Sequence, residues 1–449
     1  MKISVNKDLI YGGQTVKKIY LLVLIGALVA NQISFGISVP EQQSVSDDSK
    51  SKDANTTAYT GKLPGYIQLL NQGIYDCRRQ LPVITESAEQ TASRTIAGGK
   101  LWVAGRQPDF IGEAGGRAGG LMFIKPLDVK SLRPDDSILY AVPGDLNSQD
   151  LTTFRVWNDK GIYVVAFASG VLPRDANLPV LTTLIKNSAS PGLPVNYNDR
   201  QMLCPLDTVL NILNAWTWTG EFASASLRRG KMPVFYQSYG MEGSRQRAEK
   251  YADGTFHNGF NIPPIAPGIL GKAYVDAIQT SLDNIVARNS NALNCTVAAW
   301  CKAKPNLTTA WVIGHMFPEH FQDTRAPQPI QFKTAWHDQK LSVPAESGQF
   351  VLYMGYQYAP QLLIDQAAAQ GFTLAYISVQ PAPAYSAANI IYIDPAWPLA
   401  DACVNVPGYD IPILPASGVI DAAIYWSLLA DYCQSEHKAQ NANTNALAK

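Results

Sequence analysis

The chain has 449 residues, 47% of them hydrophobic and 16% charged, and its 36 Lys+Arg balance its 36 Asp+Glu. This length is enough for two domains, since domains usually span about 100–200 residues. The net charge of zero, without a basic patch that carries aromatic residues, argues against nucleic-acid binding, which needs a positive surface.

The N-terminus reads as an export signal. Its apolar run, IYLLVLIGALVA at 19–30, is shorter than the roughly 20 residues of a membrane span but suits the hydrophobic region of a signal peptide. The lysines before this run are Lys2, Lys7, Lys17 and Lys18. We predict a signal peptide over 1–36, a disordered linker over 37–62 and an exported protein without a membrane span after cleavage. Retention of the segment as a membrane tether is the alternative.

The cysteines and histidines do not predict a metal site. No CxxC occurs, and His315 and His320 do not form the HExxH helix pattern of zinc proteases. Cys295 and Cys301 lie close enough in CTVAAWC to form a disulfide. Six cysteines allow 15 pairings, so the connectivity stays open.

Strands and helices alternate after residue 63. Short apolar runs between helices are typical of parallel strands buried on both faces. In the first half, helices are predicted over 64–97, 146–160 and 206–229, and strands over 100–105, 138–144 and 162–169. A further helix is predicted to begin within FIGEAGGRAGGL (110–121), whose glycines suit close packing or close approach of a ligand.

The second half repeats this order. Helices are predicted over 270–300, 358–371 and 418–433, and strands over 310–315, 349–356, 372–379 and 390–394. Gly161 and Gly371 end equivalent helices, as left-handed C-terminal residues do. The junction contains the Pro/Gly-rich stretch NIPPIAPG at 261–268.

This arrangement resembles the sugar isomerase (SIS) domain family over residues 64–433. The stretch GGKLWVAGRQPDFIGEAGGR (98–117) is similar to the opening strand, glycine turn and helix of that family. Its Glu113–Arg117 ending resembles phosphoheptose isomerases, and GEFASASLRRGKMPVFYQS (220–238) is a second local similarity. The resemblance implies two tandem doubly wound α/β domains with parallel sheets, related by a pseudo-twofold axis.

We place domain boundaries on this basis. The first SIS-like domain spans 63–240, a junction spans 241–268, the second domain spans 269–435, and a disordered tail spans 436–449.

The resemblance transfers two glutamates as proton-transfer residues, Glu113 and Glu221, because aldose–ketose isomerisation moves a proton between adjacent carbons. The alternatives are structural ion pairs, of Glu113 with Arg117 and of Glu221 with Arg228 or Arg229. His257 is a candidate acid for opening the sugar ring, with a structural role as the alternative.

Several residues are candidate ligand contacts. The phosphate loop of the family, Ser-x-Ser-Gly-x-Thr, is replaced here by AVPGDLNSQD (141–150) and MGYQYAPQ (354–361), which weakens the phosphate pocket in the first domain and removes it in the second. Arginines offer bidentate donors to an anion, and residues after a strand end lie where doubly wound folds bind ligands. The ligand-binding candidates are Arg117, Gly144, Ser148, Gln149, Ser238, Ser244, Arg245, Arg247, His315, Glu319, His320 and Tyr409.

We therefore expect a protein that binds a phosphorylated or otherwise anionic sugar, with isomerase activity left open and no metal or nucleotide cofactor. The expected partner is a small molecule, and a homodimer is an open alternative to a monomer. The rival is a non-catalytic exported carbohydrate-binding or scaffold protein that keeps the SIS-like fold, because phosphosugars are mainly cytoplasmic. The glycine offsets do not fit GxGxxG, which argues against a nicotinamide dehydrogenase.

Overall fold

The structure, a computed structural model, describes residues 63–187, 190–313, 318–335, 348–381 and 387–447. The described residues belong to one unit of the chain that spans 55–449. The predicted signal peptide and linker lie outside the described residues. In the described ranges, no helix is both long and apolar enough to cross a membrane.

The first half builds a five-stranded sheet in which every pair of neighbours is parallel. Its strands, in the order β2-β1-β3-β4-β5, are β1 (Leu101–Gly105), β2 (Lys125–Pro126), β3 (Ser137–Ala141), β4 (Tyr163–Ala168) and β5 (Thr182–Lys186). All residues of β3 and β4 are buried, as a parallel sheet covered by helices on both faces requires.

The helices of the first half include two where the sequence predicts one. They are α1 (Leu63–Arg79), α2 (Leu81–Ile96), α3 (Pro108–Gly116), α4 (Ser148–Asp159) and α5 (Asp207–Arg228). The predicted helix over 64–97 is interrupted at Gln80. Pro82, which has no backbone N–H to donate, then lies in the first turn of α2, the part of a helix that tolerates proline.

The second half forms another parallel sheet with the same topology, in the order β12-β11-β10-β8-β9. Its strands are β8 (Thr308–Ile313), β9 (Gln331–Ala335), β10 (Phe350–Met354), β11 (Thr373–Ile377) and β12 (Ile390–Ile393), and its helices are α7 (Ile269–Lys302), α8 (Gln361–Gln370) and α9 (Ser417–Leu447). In each sheet the first strand lies between the second and the third. The predicted fold class, two doubly wound parallel sheets flanked by helices, is confirmed.

Smaller elements escaped the sequence analysis. They are the antiparallel pairs β6 (Gly192–Tyr197) with β7 (Arg200–Pro205) and β13 (Ala402–Val404) with β14 (Ile413–Pro415), the short helix α6 (Ser244–Lys250), and 3-10 turns at Val129–Ser131, Pro305–Leu307 and Pro318–Phe321. The β6–β7 turn places Asn198 and Asp199 at φ 48° and 58°, a conformation that Asn and Asp tolerate.

The two halves are joined through helices and through Arg325. Helix α5 packs against α2 and α7, and α9 packs against α1 and α7. Arg325 donates to both carboxylate oxygens of Asp207, at 2.7 and 2.8 Å, and to Asp323 at 2.7 Å. The domain boundaries at 240 and 268 stay predictions. Helix α9 continues through residues 436–447, which the sequence analysis places in the tail.

Glu221 anchors the N-terminus of α7. The backbone N–H groups of Gly268 and Gly271 donate to its two carboxylate oxygens at 2.7 and 2.9 Å, and Thr85 adds a hydroxyl donor at 2.8 Å. The first N–H groups of a helix have no partner inside it, and a carboxylate there is also favoured by the helix dipole. Glu221, fully buried in α5, thus ties α5 to the start of α7.

We predict that Glu221→Gln lowers the free energy of unfolding by about 1–3 kcal/mol, because an amide cannot accept from both N–H groups. Glu249→Gln, on the exposed side of α6, is the control and should change stability by less than about 0.5 kcal/mol. Urea unfolding followed by circular dichroism measures both. Equal effects of the two substitutions would contradict the role of Glu221.

Candidate functional site

Helix α3 carries two buried acids to the carboxyl edge of the first sheet. It begins directly after β1, and Asp109 and Glu113, four residues apart, lie on the same face. Both are almost fully buried. Trp216 on α5 donates its indole N–H to Glu113 Oε1 at 3.0 Å, and Gln107 donates to Asp109 at 3.3 Å. Isolated buried carboxylates are costly, so these partners are needed to hold the two acids in place.

His320 bridges these acids from the second half of the chain. It lies in the 3-10 turn Pro318–Phe321 that follows β8. Its Nδ1 is 2.9 Å from Asp109 Oδ2, and its Nε2 is 2.9 Å from Glu113 Oε2. Burial alone would lower the pKa of His320, but the negative charges and hydrogen bonds of Glu113 and Asp109 raise it to about 9. The imidazole is therefore protonated at neutral pH.

Arg117, directly after α3, links Glu113 to the start of α9. Its Nε is 3.5 Å from Glu113 Oε2, and its Nη2 donates to Asp401 at 3.1 Å and to the Ser417 hydroxyl. Asp401 also accepts the backbone N–H of Ser417 at 2.8 Å. The burial of Glu113 is outweighed by Arg117 and His320, so its pKa is lowered. The predicted Glu113–Arg117 pair is present, but it is buried rather than on a solvated helix face.

Asp421 is a fully buried acid beneath this network, one helical turn after Ser417. Among the described residues, neither of its carboxyl oxygens has a hydrogen-bond partner. Burial and the charge of Asp401 raise the pKa of Asp421 well above its ordinary value, against the opposing charges of Arg117 and His320. The buried environment of Asp421 therefore disfavours its ionised form. We refer to Asp109, Glu113, Arg117, His320, Asp401, Ser417 and Asp421 as the buried charge cluster.

Asp109, Asp401 and Asp421 were not predicted as site residues from the sequence. Asp421 had a readable signal, since it interrupts the apolar run GVIDAAIYW in the buried first half of α9. Asp401 had none, because it reaches Arg117 only through the fold. It adopts a left-handed backbone with φ 63°, a conformation that aspartate accepts more readily than most residues.

A second group forms around Arg247 and brings together three residues that the sequence analysis names separately, Arg247, His257 and Tyr409. Arg247 Nη2 donates to the Tyr409 hydroxyl at 2.7 Å, and Nη1 pairs with Asp410 at 2.5 Å. His257 Nε2 is 2.8 Å from the same hydroxyl, and its ring packs between Tyr251 and Phe260 at centroid distances of 4.3 and 4.6 Å. Burial and the charge of Arg247 lower the pKa of His257 to about 4, so the imidazole is neutral. This makes it a poor proton donor for ring opening.

In the first sheet, the segment that replaces the phosphate loop of the family is capped by its own side chains. Asn147 and Asp150 form a capping box at the start of α4, which satisfies two of the N–H groups that a phosphate would use. Arg106 donates to Asp150 at 2.9 Å. Gly144 adopts φ 70° in the turn, and Ser148 and Gln149 are exposed on the first turn of α4.

The remaining candidates separate. Ser238 is buried and interacts with the Tyr356 hydroxyl, while Tyr356 lies 5.8 Å below the Arg117 guanidinium. Ser244 is buried at the start of α6, Arg245 is exposed, and Glu319 is half-buried. His315 lies outside the described residues. Glu221 does not belong to the charge cluster, because its carboxylate anchors the start of α7. Arg228 and Arg229, the alternative partners expected for Glu221, pair with Glu89.

Two tyrosines are exposed at the carboxyl edge of the second sheet. Tyr358 follows β10 and donates its hydroxyl to the Gly240 carbonyl at 3.3 Å, next to Tyr239. Their exposed fractions are 43% and 48%. We call Tyr239 and Tyr358 the tyrosine rim. Within the described ranges, no group of three or more His, Cys, Asp or Glu side chains could hold a metal ion.

No protein-family model and no curated protein matches the chain. Solved structures do resemble it. A candidate sugar-binding protein from Salmonella typhimurium LT2 is 9% identical, with a TM-score of 0.44, covering 82% of this chain and 98% of its own. A candidate phosphosugar isomerase from Silicibacter pomeroyi DSS-3 is 11% identical (TM-score 0.42, 84% and 98% covered). The C-terminal domain of glucosamine-fructose-6-phosphate aminotransferase from Francisella tularensis is 9% identical (TM-score 0.40, 83% and 98% covered).

Protonation of His320 should make the stability of the protein depend on pH. Its pKa is raised from an ordinary value of about 6.5 to about 9, so its stabilising contribution is complete below about pH 6.5 and is lost as pH rises through 9. We expect wild type to exceed His320→Gln in unfolding free energy by up to about 3 kcal/mol at low pH. That difference should shrink as pH rises through about 9. Urea unfolding of both proteins across this range is the measurement, and parallel pH profiles would refute the charged bridge.

Proposed function

We propose that the protein binds a sugar or sugar derivative at the carboxyl edge of its second sheet, above the buried charge cluster. One observation carries this proposal: the segment after the first strand of one sheet contacts the corresponding segment of the other. His320, which follows β8, is hydrogen-bonded to Asp109 and Glu113, which follow β1. In doubly wound sheets, ligands bind at the carboxyl ends of the strands where the chain direction switches. Here the switch points of both sheets contribute to one region.

The chemistry of this region favours a polyhydroxylated ligand. The tyrosine rim offers aromatic faces for the C–H face of a sugar ring, and tyrosine combines an apolar body with a hydroxyl. Ser238 and the Gly240 carbonyl lie in the same segment, which leads into α6. Few polar groups among aromatic walls are typical of small-molecule sites.

Arg247 is the proposed contact for an anionic group of the ligand. Its side chain is only 9% exposed, whereas that of its partner Asp410 is 49% exposed. A phosphate or carboxylate can replace this exposed acid on the guanidinium and keep the hydrogen bond from Arg247 to Tyr409 in place. Export, which rests on the N-terminal sequence, is part of this proposal and is independent of whether the anionic group of the sugar is a phosphate or a carboxylate.

Binding is better supported than proton abstraction by Glu113. Its carboxylate already contacts Trp216, His320 and Arg117, and its pKa is lowered. A general base works best with a pKa near the working pH and with a free lone pair towards the substrate. The cluster is also tightly packed, since a Cβ at Gly418 would lie 2.3 Å from Glu113 Oε1.

We predict that glucose 6-phosphate raises the thermal midpoint of the protein more than glucose or inorganic phosphate alone does. At a ligand concentration of about a hundred times Kd, binding stabilises the folded state by about 2.7 kcal/mol. Arg247→Gln should weaken binding about tenfold or more, the worth of a charged hydrogen bond. Arg155→Gln, an exposed arginine on α4, should leave it unchanged. Equal shifts with glucose and its phosphate would eliminate the anionic contact.

A second candidate function, aldose–ketose isomerisation, is favoured by one observation. His320 is protonated between two carboxylates after a strand end, as a general acid would be. If this function is correct, incubating fructose 6-phosphate with the protein in D2O introduces deuterium at the carbon next to the carbonyl, and His320→Gln abolishes the incorporation. Binding without deuterium incorporation would leave the non-catalytic function alone.

A further inference from the structure

A cavity of about 330 Å³ lies at the opposite edge of the second sheet, away from the charge cluster. It is formed by the last turns of α7 and by residues at the amino ends of β10, β11 and β12. The residues that line it are Cys295, Ala298, Ala299, Lys302, Ala303, Gly348, Gln349, Thr373, Ala388 and Ile391. This volume suits a small organic molecule.

One polar side-chain atom in the cavity lacks a hydrogen-bond partner among the described residues. Gln349 lines it and is only 8% exposed, and its side-chain Oε1 has no hydrogen-bond partner in the described part of the chain. A buried amide oxygen without a donor costs free energy that a ligand donor would recover. The backbone of Gln349 is fixed, since its carbonyl accepts the N–H of Thr373 at 3.1 Å.

Charge and surface shape define the ligand further. Lys302 lines the cavity and is exposed, and the Lys304 side chain lies over Gly348 at its margin. In the described ranges neither lysine forms a salt bridge with an acid. Alanine methyl groups and Ile391 supply apolar surface between these polar groups. Cys295 is a free, exposed thiol in the same wall.

We propose that this cavity, the amino-edge cavity, binds a small hydroxylated anion, with a hydroxyl donating to Gln349 Oε1 and the negative charge next to Lys302. The ligand needs a hydroxyl because an anion without a donor would leave Gln349 Oε1 without a hydrogen bond. It needs a negative charge because a neutral polyol would gain no attraction to Lys302. The site is independent of the sugar site proposed above, since it lies on the other edge of the sheet and shares no residue with it.

Cys295 gives a direct readout in the full-length protein. We would measure the rate at which iodoacetamide modifies Cys295, by peptide mass spectrometry, with partly buried Cys301 and Cys403 as internal references. The probes are gluconate, sorbitol and propionate at equal ionic strength. Gluconate has about 13 non-hydrogen atoms, and at about 0.3 kcal/mol per atom a Kd of about 1 mM is expected. At about 10 mM it should slow the modification of Cys295 about tenfold.

Variants separate specific binding from a salt effect. Lys302→Gln and Gln349→Met should each weaken protection by gluconate about two- to tenfold, the worth of one hydrogen bond or charge contact. Lys160→Gln, at an exposed lysine after α4, should retain full protection. Lys302 is exposed, so its substitution tests the site without disturbing the core.

The proposal is overturned if gluconate does not protect Cys295, or if propionate or sorbitol protects as well as gluconate does. Protection that survives both Lys302→Gln and Gln349→Met also overturns it. Protection by gluconate alone, reduced by these two variants and retained in Lys160→Gln, supports it.

Discussion

The structure depends most on the placement of Arg117 between two buried carboxylates. Glu113 comes from the helix that ends just before it, whereas Asp401 comes from the far end of the second half. Removing a charge from water is so costly that such an arginine is stable only with well-placed partners. Fixing Arg117 orients Glu113 towards His320 and holds Asp401 at the start of α9. Arg117 therefore fixes both the start of α9 and the orientation of the acidic side chains on α3.

The charge state of the cluster limits its chemistry. Two cations, Arg117 and protonated His320, lie among four acids. The pKa of Glu113 is lowered by these cations despite its burial, whereas burial raises the pKa of Asp421. An ionised carboxylate with three partners accepts a proton poorly, and both ring nitrogens of the buried imidazole are already engaged with Asp109 and Glu113. A ligand held above the cluster would therefore meet a region close to electrical balance.

The sequence predicts the repeated fold well because its signals are local. Apolar runs such as YVVAFA and FVLYM define buried parallel strands, and Gly371 ends α8 in the predicted left-handed conformation. The site is predicted only in part. Glu113 and Arg117 were identified through the resemblance of their segment to phosphoheptose isomerases, but Asp401 and Asp421, which complete the network, lie far along the chain. Glu221 has the burial expected of a catalytic acid, and only the position of Gly268 and Gly271 shows that it anchors a helix.

The repeated topology has a consequence for the independence of the two halves. Helix α3 and the turn that carries His320 occupy corresponding positions after β1 and β8, yet one presents two acids and the other a cation. If two copies of the first half were arranged in the same way, Asp109 and Glu113 of one copy would face Asp109 and Glu113 of the other, with no imidazole between these four carboxylates. The halves have become electrostatic complements, so separating them would leave unbalanced charge on each exposed face.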